Sequence, residues 1–84
     1  MSVDPRYILV GMGVVGTDGE VVGTVKEVRG ADFLVDRPFA RDVYVPIEFV
    51  QAIIDETADD PVDPHVVLTI RADSVDDAGW PHPH

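Results

Sequence analysis

Val14-Val15-Gly16-Thr17-Asp18-Gly19-Glu20-Val21-Val22-Gly23-Thr24-Val25-Lys26-Glu27-Val28 is the stretch that decides how this chain folds. Two valine-rich runs flank an Asp-Gly pair, the strongest short-range signal for a β-hairpin. Within the second run, Val22 and Val28 share one parity and Val25 has the other. A β-bulge near Gly23 turns them to one face. Before the hairpin, Tyr7 to Val10 and Met12 to Val15 form an apolar stretch broken at Gly11 and Gly13. After it, Gly30-Ala31-Asp32 turns the chain into Phe33-Leu34-Val35. Val43-Tyr44-Val45 is a further strand, ended by Pro46, which has no N–H for a central ladder.

From Ile47 to Ile54 two readings compete. Pro46 suits the first position of a helix, with Ile47, Val50 and Ile54 on one face. Alternatively, one 3₁₀-like turn precedes a strand at Ala52-Ile53-Ile54. The second is preferred, because the apolar run His65 to Ile70 needs a strand to pair with. Beyond it, Ser74 can cap a short helix with Asp76 and Asp77 in its first turn, and Gly79 would stop it. The expected fold is therefore all-β: a small antiparallel β-barrel of about six short strands with a short C-terminal helix. It is expected to be a single domain over residues 1–80, with 81–84 a disordered tail.

The hairpin resembles the opening of PRC-barrel domains. Tyr44-Val45-Pro46-Ile47-Glu48-Phe49-Val50 is similar to their later strand-and-turn element, and Val66-Val67-Leu68-Thr69-Ile70 to their closing strand. With Arg41-Asp42-Val43-Tyr44-Val45-Pro46 and the tail Ala72 to Trp80, the chain most resembles a family of short bacterial proteins of unknown function related to that barrel. The likeness covers roughly residues 8 to 80. It implies a barrel that works through protein contacts and brings no catalytic residues. The membrane helix of the reaction-centre member and the second barrel of the ribosome-maturation member are expected to have no counterpart in this sequence.

Charge narrows the partners. Sixteen acidic residues against six basic ones give 84 residues a net charge of −10. So acidic a surface repels phosphate, which makes nucleic acid and anionic membranes poor partners. Without cysteine there are no disulfides, thiolate zinc sites or cysteine catalysis. No apolar run approaches the ~20 residues that span a bilayer, and Met1 to Arg6 do not read as a signal peptide, so the expected compartment is the cytoplasm.

Gly11, Gly13 and Gly16 spell G-x-G-x-x-G, but a hairpin follows where a dinucleotide site needs a helix N-terminus. Tight turns are the better reading. No cofactor is expected. His65, His82 and His84 do not make a four-ligand zinc site. Ser74 already has a capping role, and a barrel this small is filled by its own side chains, so no enzyme is expected. Arg37, Phe39 and Arg41 place two arginines around an aromatic in an acidic protein, the composition of an interaction hot spot. Trp80 is the other candidate. For both, intramolecular pairing and packing are the competing readings.

The expected function is a non-enzymatic protein-interaction or self-association module, with a homodimer through open strand edges. The alternative is a divalent-ion or small-ligand binding protein using Asp55, Glu56, Asp59, Asp60 and Asp63. Their spacing departs from a calcium loop, and a solvated acidic segment is the competing reading.

Overall fold

The computed structural model of the chain describes residues 7–38, 40–54 and 64–82. Across them six strands form one sheet in the order β4-β3-β2-β1-β6-β5. They are β1 (Gly13–Val15), β2 (Val21–Val28), β3 (Asp32–Asp36), β4 (Val43–Pro46), β5 (Val50–Ile54) and β6 (His65–Leu68). β1 to β4 form an antiparallel meander. The Asp18-Gly19 turn closes its first hairpin. The Gly19 N–H donates to the Gly16 carbonyl at 2.9 Å, and Gly19 takes a φ of +82°, which side chains disfavour.

The parity conflict in β2 is resolved by bulges. Val14 pairs with Gly23 but Val15 with Val21, leaving Val22 as the extra residue. A second shift, against β3, leaves Lys26 without a partner. Val22 and Val25 consequently both reach the core, and Val28 packs against its margin. At Gly23 a Cβ would run into the Asp36 carbonyl, so β2 and β3 approach as closely as they do only around a glycine.

After β4, Pro46 leads into a single 3₁₀ turn, Ile47–Phe49, and β5 begins at Val50. The turn-then-strand reading of this region holds. β5 pairs antiparallel with β6. β6 then runs parallel to β1, with Val66 beside Val14, which corrects the all-antiparallel barrel expected from the sequence. The turn carries the chain from one edge of the sheet to the other, and the sheet curls into a half-barrel around that crossing. Its interior is filled by Val14, Val25, Phe33, Val35, Val43, Val45, Val66 and Leu68, each almost wholly buried.

The C-terminal helix expected from Ser74 is also corrected. Ala72–Ser74 and Asp76–Ala78 are separate 3₁₀ turns with no side-chain cap at either. Nucleating an α-helix is unfavourable, and serine and aspartate propagate one poorly. Here Val75, between the turns, and Trp80, after them, are both drawn into the core. Tertiary packing sets the path, and Gly79, at φ +73°, ends it.

Candidate interaction surfaces

Of the sequence candidates, Arg37 and Trp80 both hold the segment in which the chain's last described residues meet β4. Trp80 is 7% exposed and packs edge-on against Phe49, ring centres 5.0 Å apart. Just beyond it, the Pro81 carbonyl accepts the outward N–H of Tyr44 at 2.8 Å. His82 Nδ1 stands 2.7 Å from the Asp42 carbonyl, which can only accept, so this nitrogen carries the proton. Pro81 and His82 therefore lie against the outer edge of β4, through one backbone bond and one side-chain contact. Pro46 contributes no N–H on that edge.

Arg37, just past β3, pins the same segment. Its Nη1 donates to Asp76 Oδ1 at 2.8 Å, and the side chain is only 11% exposed. The Arg37 guanidinium holds the Asp76 carboxyl below the ordinary aspartate range. Asp42 is likewise lowered, first by the Lys26 ammonium at 3.2 Å, with help from the Arg37 backbone N–H. A further exposed pair, Arg29 to Asp32, has both guanidinium contacts at 2.7 Å, and the Arg29 carbon lies 4.1 Å over the Tyr44 ring. The hydrogen bond lowers Asp32 and raises Arg29.

Arg37 and Trp80 thus serve as two fastenings of one clasp, Arg37 by charge and Trp80 by burial. Arg41 is exposed, joined to Arg37 only through its carbonyl at 3.5 Å, and has no ion-pair partner among the described residues. Phe39 lies outside the described residues, as do Asp55, Glu56, Asp59, Asp60 and Asp63. Among the described residues no three His, Cys, Asp or Glu side chains gather where they could hold a metal ion. No helix there is long and apolar enough to cross a membrane.

Two of the three glycines in the triplet have a structural explanation. Gly11 takes a φ of +96° in a turn, and Gly16 sits under the backbone of Arg71 and Ala72, where a Cβ would collide. The Asp18 carboxylate accepts the N–H groups of Glu20, at 3.2 Å, and Ala72, at 3.4 Å, tying the hairpin turn to the start of the clasp.

Two further surfaces were not singled out in the sequence. One is an open groove of about 820 Å³ lined by Leu9, Val10, Met12, Val15, Pro64 and His65. Leu9 and Val10 on its rim and nearby Tyr7 are all more than half exposed. The other is the outer edge of β5. β5 ends the strand order and meets no second strand among the described residues. The Val50 N–H turns back onto Ile47, Ala52 and Ile53 are half-buried, and Gln51 and Ile54 are exposed. The strand Val50-Gln51-Ala52-Ile53-Ile54 carries no charge and no proline. The apolar run at 52–54 was the available signal, but whether it faces a neighbour depends on pairings set elsewhere in the chain.

No protein-family model, curated protein or solved structure matches this chain.

Proposed function

We propose that this chain is a non-enzymatic protein-interaction module, a PRC-barrel-like half-barrel of the bacterial cytoplasm that engages its partner by accepting a strand at β5. The observation that carries this reading is the uncharged outer edge of β5, which meets no second strand among the described residues, on a sheet whose opposite edge is covered. Open strand edges recruit other chains, and soluble proteins ordinarily block them with lysine, proline or a covering segment. β4 has two of those devices, and among the described residues β5 shows none. The resemblance to barrels that work through protein contacts points the same way.

The test is an isotope-labelled chain placed in unlabelled bacterial lysate and followed residue by residue by NMR. Signal loss concentrated at Val50–Ile54, and removed by Ile54→Lys, is the expected result. Ile54 is exposed, so that substitution adds an edge-blocking charge without touching the core. Loss concentrated at Leu9–Val15 or around Arg41 instead would overturn the assignment to β5.

A further inference from the structure

We infer that a second copy of this chain docks on the groove beside β1, each copy inserting its Leu9–Val10 turn into the groove of the other. This goes beyond the reading of β5 and does not depend on it.

The turn holds its apolar pair outward by construction. Leu9-Val10-Gly11-Met12 is closed by the Met12 N–H on the Leu9 carbonyl at 3.2 Å, with Gly11 at φ +96° in the third position. The Gly11 N–H donates to the Val25 carbonyl at 2.8 Å, and the flanking Ile8 and Met12 are buried. A turn tip ordinarily carries glycine, proline or small polar residues. Here two aliphatic side chains stand out from a tied base, Leu9 62% and Val10 68% exposed, as a ridge.

The groove lies directly beside that ridge. Gly11, Gly13, Gly19 and Thr24 line it, and at Gly11 and Gly19 nothing stands within 4 Å of where a Cβ would be. Val15, also in the lining, pairs with Val21 of β2, which is 72% exposed and continues the apolar surface. Among the described residues no Asp, Glu, Lys or Arg lines the groove, and His65, its titratable residue, already has an interaction of its own.

Shape and charge select a second copy as the occupant. A twofold interface uses the same patch on both subunits, so the patch must complement itself. A ridge beside a groove does so, and one contact between two copies buries both ridges and fills both grooves. Each copy carries a net charge of −10, and here two copies meet through linings that hold no carboxylate among the described residues.

Sedimentation equilibrium of the full chain from about 1 to about 500 µM should show a monomer–dimer equilibrium. It should tighten several-fold between about 50 and about 300 mM salt, as charge outside the contact is screened. Val10→Lys charges the ridge and Thr24→Glu charges the groove. Both positions are exposed, and near-ultraviolet circular dichroism of buried Trp80 confirms that each variant is folded. Each variant alone should dimerise at least about tenfold more weakly than the parent. An equimolar mixture should recover the dimer, because one of its two contacts is native and the other sets lysine against glutamate.

A chain that stays monomeric across the whole range would overturn the proposal. So would a dimer untouched by either substitution, such as one formed edge to edge at β5. Weakening by both variants with no recovery on mixing would overturn the reciprocal insertion.

Discussion

β4 and β5 are the outermost strands of one sheet and are separated in sequence by only the three residues Ile47–Phe49, yet their outer edges differ completely. Along β4 the Tyr44 N–H is taken by Pro81, the Asp42 carbonyl by His82, and Pro46 offers no donor. Along β5 the outer edge meets no strand among the described residues. The chain thus lays Pro81 and His82 against one edge, and the segment leading to them is fastened by Trp80, Arg37–Asp76 and Asp18. Edge exposure in a half-barrel is set by where the remaining chain is laid, and strand composition decides little of it.

The strongest way to break the comparison is to unfasten the clasp. Trp80→Ala removes a buried indole and its edge-on contact with Phe49, which costs about 3–5 kcal/mol. That rivals the whole stability of a domain this small, so thermal melting should fall by well over ~10 °C. Where the variant still folds, the Tyr44 amide should exchange as fast as the exposed amides of β5. An unchanged Tyr44 exchange rate would mean Pro81 holds β4 without Trp80.

Gly16→Ala attacks the same clasp from beneath. Its Cβ would collide with the Ala72 backbone and come within 2.7 Å of Asp18 Oδ1, forcing Arg71 and Ala72 outward. Overpacking of this kind costs about 1–3 kcal/mol, read as a lower denaturation midpoint. Gly13→Ala is the control, since its Cβ meets only His65 at an ordinary 3.8 Å.

A smaller effect comes from Arg37–Asp76, and it depends on pH. The folded Asp76 carboxyl is lowered from 3.8, so the pair's contribution is complete above that value and disappears as pH falls through the lowered one. Asp76→Asn should therefore melt a few degrees below the parent at neutral pH and converge with it in strong acid. A gap that persists there would assign the effect to packing. Smallest of all, Arg41→Ala should leave the melting temperature within about a degree, because its side chain is exposed and has no ion-pair partner among the described residues.

Much of this fold can be read from short-range chemistry. Asp18-Gly19 announces the first hairpin, the clash of parities among Val22, Val25 and Val28 announces the bulge, and Pro46 announces the turn that leads to β5. Three features escape such reading. The Ser74 region has a helix's punctuation, but burial of Val75 and Trp80 overrides it. Trp80 and Arg37 look alike as interaction anchors or fastenings until their partners, Phe49 and Asp76, are seen beside them. The open edge of β5 is a property of the whole strand order, and no local pattern records it.

The parallel seam between β1 and β6 has a kinetic consequence. The β1–β4 meander can zip from its own turns and β5 can pair with β6 at short separation in sequence, but Gly13–Val15 must wait for His65–Val67. Closing so long a loop is an entropic step that local hairpins do not share, and it places the rate-limiting event at the middle of the sheet. During synthesis, the meander would emerge with β1 as a temporary free edge, and only arrival of β6 would retire it. Substitutions at Val14 or Val66 should then slow folding more than equally destabilising ones in β3, a difference that stopped-flow refolding would resolve.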